Sequence, residues 1–239
     1  MKLQYIFGPV ISRRLGLSLG IDLIPFKTCS LDCVYCECGK TNQLVIERRE
    51  YVPTAEVTAE LDKYLQSNPN IDYLTFSGSG EPTLHSGLGQ IIDFIKENYP
   101  QYKISLLTNS TLFPQEGVIK EVKDLDLIVP SLDAVSEDIF NKINRPISGV
   151  RAAEIVKGLE SLRASFAGQL WLEIFIIPGI NDHREELQLF KKALQRIRPD
   201  KIQLNSLDRL GTENWVPPVV PKDLELIAQY LGNNIEIVI

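Results

Sequence analysis

Six short apolar runs, at 19–25, 71–76, 103–108, 125–130, 170–177 and 201–205, alternate with stretches of helical spacing, and no other feature restricts the fold as much. Each run is rich in Ile, Leu, Val or aromatic residues and nearly continuous, as strands covered on both faces require. Between them lie amphipathic stripes: Val57, Leu61 and Leu65; Leu88, Ile91, Ile92 and Ile95; Leu187, Phe190, Leu194 and Ile197; Leu224, Ile227 and Leu231. Helix starts are marked by Thr54 after Pro53, by Ser136 before Glu137-Asp138, and by Asp182 with Glu185 three residues on, a capping-box pattern. A last run at 235–239 predicts a short terminal strand. Repeated β/α units predict a parallel sheet covered by helices, either a barrel or an open doubly wound sheet, and periodicity does not choose between them.

With 239 residues, 44% of them apolar, the chain can bury a sizeable core within the usual size of one α/β domain. One domain over 1–239 is expected, with a lead-in at 1–18 and a C-terminal helix and short strand in 207–239. Met1-Lys2-Leu3-Gln4-Tyr5 lacks the charged-then-apolar pattern of a secretory signal, and no stretch approaches the ~18 apolar residues of a spanning helix. A cytoplasmic location is the expectation. The net charge of −6 excludes a global positive field for a nucleic-acid backbone and leaves only a local basic patch for such a partner.

All four cysteines lie within 29–38, and Cys29, Cys33 and Cys36 follow the first apolar run as C-x3-C-x2-C. So tight a cluster cannot staple a domain by disulfides, and Cys36-x-Cys38 is closer than the usual zinc-knuckle gap, with no distant second pair. Three thiolates on one loop can hold three corners of a [4Fe–4S] cube and leave the fourth iron without a protein ligand. An electron carrier gains nothing from that open position; a catalyst does. Cys38 reads as a spare small side chain.

This cysteine run, with Tyr35 before its last member, resembles the radical S-adenosylmethionine (radical SAM) enzymes. Residues 7–16 and 18–22 resemble the lead-in of a compact subgroup similar to the tRNA wybutosine-synthesis enzymes. The resemblance implies a partial (β/α)6 barrel of parallel strands, open on one side, with a [4Fe–4S] cluster and S-adenosylmethionine as cofactors. It implies that the methionyl amine and carboxylate chelate the bare iron. One electron from reduced flavodoxin or ferredoxin then splits the sulfonium to methionine and a 5′-deoxyadenosyl radical that abstracts hydrogen.

In such folds the reactive face lies at the carboxyl ends of the strands, where the polar and glycine-rich loops of this chain recur. Gly78-Ser79-Gly80-Glu81 after the second run lets the backbone approach a ligand and resembles the family's methionine-amine motif; as a bare pattern it is an ordinary turn. Asn109, Ser131 and Asp133 follow the third and fourth runs and offer short donors and acceptors for ribose hydroxyls or a carboxylate, or else cap and turn the chain. Tyr35 and Ile180, with Ile177, match the family's adenine wall or are core residues. Lone His85 and His183 read as surface or turn residues. Arg13-Arg14 and Asn144-Arg145-Pro146 are candidate anion binders with a solvated alternative. Glu173 is expected to face the lumen, functional or paired.

The expected function is hydrogen abstraction from an unidentified substrate. A tRNA, a glycyl-radical partner, a peptide or a small molecule all remain open, because the longer, more basic tRNA enzymes carry further cysteines that this chain lacks. A different class, an iron–sulfur electron carrier or redox sensor without catalysis, would need Cys38 as fourth ligand.

Overall fold

The computed structural model describes residues 3–238. The chain opens with an antiparallel hairpin, β1 (Ile6–Ser12) and β2 (Gly16–Ile21), whose register shifts between Phe7 and Val10, where Pro9 has no N–H to give. Two short strands, β3 (Thr28–Cys29) and β4 (Gln43–Leu44), pair beside the cysteine loop. There follow α1 (Thr54–Leu65), β5 (Tyr73–Phe76), α2 (Leu88–Asn98), β6 (Lys103–Thr108), α3 (Glu116–Val122) and β7 (Leu127–Pro130). The remainder is α4 (Glu137–Ile143), α5 (Ala152–Ser165), β8 (Gln169–Phe175), α6 (Arg184–Ile197), β9 (Lys201–Asn205), α7 (Pro221–Leu231) and β10 (Ile235–Val238).

The main sheet runs β1-β2-β5-β6-β7-β8-β9-β10, with every pairing after the hairpin parallel. Its outer strands are β1 and β10, so it is not closed into a barrel. The expected open, mostly parallel α/β architecture is what forms. Each predicted stripe is the buried face of its helix, from Val57, Leu61 and Leu65 on α1 to Leu224, Ile227 and Leu231 on α7. Each fully buried Leu, Ile or Phe contributes about 1.5–3 kcal/mol by leaving water. The opposite face of the first strands is polar: Ser18, Thr75 and Ser105 form a hydroxyl chain across β2, β5 and β6, with spacings of 2.7 and 2.8 Å. Among the described residues no helix is long and apolar enough to cross a membrane.

The structure departs from the sequence reading in several places, and β5, β7 and β8 differ from their predicted runs by one or two residues at an end. The first run begins earlier, as β2, and carries the hairpin partner β1, which the pattern did not show because β1 lies exposed along most of its length. Helices α3, α4 and α5 had no predicted stripe, and only the start of α4 was marked. The Asp182–Glu185 capping box does not form. Asp182 instead accepts from the Gly179 N–H of the preceding turn at 2.8 Å, and His183 caps α6 through Nδ1. Ser136 stands at the start of α4 as expected but makes no side-chain cap, and Glu186 holds the chain just before the helix by accepting from Val135 and Ser136 N–H. Of the terminal run, 235–238 is strand, and Ile239 lies outside the described residues.

Candidate functional site

The cysteine loop is pinned from both sides by backbone bonds. Lys27 N–H donates to Ser79 O and Glu81 N–H to Thr28 O on one side; Asp32 and Val34 N–H donate to Asn144 and Ile143 O on the other. Cys29, Cys33 and Cys36 are half-buried and Cys38 is exposed. Each of the three meets one side-chain N–H. Asn109 Nδ2 lies 3.3 Å from Cys29 Sγ, Asn144 Nδ2 lies 3.3 Å from Cys33 Sγ, and Lys27 Nζ lies 3.1 Å from Cys36 Sγ. Burial pushes the Cys29 thiol up to about 11 and the Cys33 thiol well above its ordinary value. Cys36 is held down by donors, first the Cys38 thiol and then the Lys27 ammonium. Burial thus favours the neutral form of both the Cys29 and the Cys33 thiol. Among the described residues no three His, Cys, Asp or Glu side chains converge on a single-ion position.

Glu81 sits beside this loop with 2% of its surface exposed. Its Oε1 accepts from Thr83 N–H at 3.1 Å and from the hydroxyls of Thr83 and Thr108, each at 2.6 Å; Oε2 accepts from Asn109 N–H at 2.7 Å. Burial pushes its carboxyl up while these four donors pull it down. Donors of the chain itself thus engage both oxygens of this carboxylate, three on Oε1 and one on Oε2. Asn109 is equally committed, donating to Cys29 and Ser30 and accepting from Thr111. Ser79 turns to Asp22, its hydroxyl 2.8 Å from Oδ2, and Gly78, at φ +135°, has that same carboxylate where a Cβ would stand. Gly80 lies against Thr28 O and Ile24, leaving no room for a side chain.

The other wall is aromatic and acidic. Tyr35 stacks on Phe175, with ring centroids 3.8 Å apart and planes 8° apart, and its hydroxyl donates to Asp133 Oδ2 at 2.5 Å. Asp133 also accepts from Asn144 Nδ2 at 2.8 Å and Phe175 N–H at 3.0 Å. Burial, against these three donors, raises its carboxyl to about 6. One face of Tyr35 and both oxygens of Asp133 are therefore occupied. Ile177 and Ile180 are buried with Val34, Ile143, Phe175, Leu207 and Val216 under that ring. The loop after β9 closes over the cysteine loop: Gly211 packs on the Tyr35 backbone, Thr212 Oγ1 donates to Cys36 O, and Glu213 N–H donates to Val34 O.

Inside the sheet, Ser131 holds Ser110 through its carbonyl, and Glu173 pairs with Arg14, so the predicted lumen carboxylate is a paired one. Arg145 pairs with Glu213 at 2.6 Å and is not free for an anion. His85 is wholly buried; Nδ1 accepts from Tyr51 N–H at 3.1 Å, Nε2 meets Thr54 Oγ1 at 3.3 Å, and burial lowers its pKa. Both histidines are therefore structural. Lys27, Thr108, Asn144 and Phe175 are site residues that sequence reasoning missed or misassigned. Only Lys27, two residues before Cys29, left a local signal.

The sequence model of the Radical SAM superfamily matches residues 23–190. A protein of Brachyspira hyodysenteriae named GTPase Obg is 37% identical over 99% of this chain, which spans only 35% of that protein's length. A UPF0026 protein of Methanocaldococcus jannaschii is 35% identical over 95% of this chain and 72% of its own length. Among solved structures, a radical SAM methyltransferase from Sphaerobacter thermophilus shares the fold, with TM-score 0.69, 13% identity, and coverage of 92% of this chain and 65% of that one. Archaeal TYW1 shares it with TM-score 0.60, 17% identity, and coverage of 91% and 72%. With an open parallel sheet, three cysteines on the loop after its first parallel strand, and a family match over most of its length, the chain belongs to the Radical SAM superfamily.

Proposed function

We propose that this chain, as one domain, is a radical SAM enzyme in which Cys29, Cys33 and Cys36 hold a [4Fe–4S] cluster with S-adenosylmethionine beside it. Bound together, these groups supply reductive cleavage of the sulfonium to a 5′-deoxyadenosyl radical that abstracts hydrogen from a substrate. The observation that carries the reading is the set of three side-chain N–H groups, one aimed at each of the three sulfurs. Hydrogen bonds to thiolate sulfur tune a cluster's potential and orient its ligands.

The chain's own residues then divide by task. Lys27, Asn109 and Asn144 orient the sulfurs. Glu81 is a positioning residue that ties the end of β6 to the turn after Gly80, so that Gly78, Ser79 and Gly80 meet the cofactor through backbone alone. Asp133 positions Tyr35 and Asn144 in the same way. The Tyr35 edge, Ile180 and Ser131 form the nucleoside side of the site, and the loop after β9 excludes water above Tyr35. Reduced flavodoxin or ferredoxin is the electron donor, and the cytoplasm is the compartment that keeps these thiols reduced.

Anaerobic reconstitution with iron, sulfide and dithionite should yield 5′-deoxyadenosine from S-adenosylmethionine; no cleavage by a fully loaded protein would sink the proposal. A second reading, an iron–sulfur electron carrier or redox sensor, would take the exposed Cys38, two residues after Cys36, as its fourth ligand.

A further inference from the structure

A cavity of about 460 Å³ lies between residues 10–15 of the β1–β2 hairpin and residues 208–209 after β9. Its size falls within the range of small-molecule sites. Three guanidinium groups line it, from Arg13, Arg14 and Arg209, against two carboxylates, Asp208 and Glu173. Arg14 is committed to Glu173, and both side chains are largely buried, at 15% and 13% exposure. The remaining pairings are loose. Arg13 Nη1 lies 3.4 Å from Asp208 Oδ2, and Arg209 Nε lies 3.9 Å from both Asp208 and Glu37. Two planar forks thus share one neighbouring carboxylate inside the cavity at distances longer than a good charged hydrogen bond, in a chain whose net charge is −6. The cavity also reaches Thr108, the neighbour of Asn109, and Ser131.

We infer that this cavity takes a small anionic molecule carrying a phosphate or carboxylate group, bound by Arg13 and Arg209, while the Arg14–Glu173 pair fixes the hairpin wall. Guanidinium forks match either anion in bidentate fashion, and both forks project from segments that border the sheet's open side. The inference rests on the reading above only for the chemistry the molecule meets; the binding itself needs neither cluster nor cofactor to be active.

Calorimetric titration of the reconstituted full chain with pyrophosphate, and in parallel with citrate, at constant ionic strength tests it. At least one anion should bind, and Arg13→Ala and Arg209→Ala should each weaken it by about tenfold or more. Lys120→Ala, which removes the same charge from the exposed Lys120–Glu116 pair on α3, should leave the affinity unchanged. Stronger pyrophosphate binding assigns a phosphorylated molecule, and stronger citrate binding a carboxylate. Failure of both anions to bind, or a Lys120→Ala loss equal to that of the arginine variants, would overturn the inference. S-adenosylmethionine cleavage measured on the same wild-type sample separates this failure from failure of the radical SAM reading.

Discussion

Alanine at Cys29, Cys33 or Cys36 is expected to abolish cluster assembly and S-adenosylmethionine cleavage while leaving the fold in place. A three-thiolate set has no spare ligand, so losing any one leaves two irons of the cube without protein bonds. The fold should survive because the three side chains are only half-buried and contribute one sulfur each to packing. Iron analysis should show a drop from about four irons per chain toward none. The melting transition should move by no more than a few degrees, the shift for a loss of about 1 kcal/mol. Cys38→Ala should keep both iron and activity. A Cys38→Ala protein as depleted as the other three would instead indicate a four-thiolate site.

Glu81→Ala should be among the most destabilising single substitutions in the molecule, even though no ligand need touch the carboxylate. Alanine leaves the hydroxyls of Thr83 and Thr108 and the N–H groups of Thr83 and Asn109 without an acceptor, in a place almost closed to water. Each buried donor left unmade costs about 1–3 kcal/mol, so a loss of about 3 kcal/mol or more is expected even if water recovers part of it. Glu81→Gln should cost less. Its amide oxygen can serve the three donors now on Oε1, and only the contact with Asn109 N–H becomes donor against donor. Urea unfolding of the two variants measures this order. Equal midpoints for Ala and wild type would show that the carboxylate is not the knot that the hydrogen bonds describe.

The glycine-rich run shows how far the sequence was readable. Its place at the end of β5 followed from the apolar pattern, because a strand's carboxyl end is a local property. What Glu81 does there was not readable, since its partners include Thr108 and Asn109, 27 and 28 residues away. Distance along the chain hid the rest of the site in the same way. Asn144 reaches Cys33 from 111 residues downstream, and Thr212 reaches Cys36 from 176. Strands β6 and β9 were legible to the residue because Ile104, Leu106 and Leu107 in one and Ile202 and Leu204 in the other stand between polar ends that mark where each run starts and stops. The hairpin strand β1 was not, because it is an exposed edge whose apolar Val10 and Ile11 face solvent and whose pairing depends on the Gly16 turn.

The most direct test of a cluster with one iron left open is the low-temperature EPR spectrum of the reduced, reconstituted protein with and without S-adenosylmethionine. Chelation of that iron by the methionyl group must alter the spectrum, and the account predicts a clear change in g-values in both wild type and Cys38→Ala. A spectrum that stays the same at saturating S-adenosylmethionine would contradict it, because every iron would then already hold its ligands.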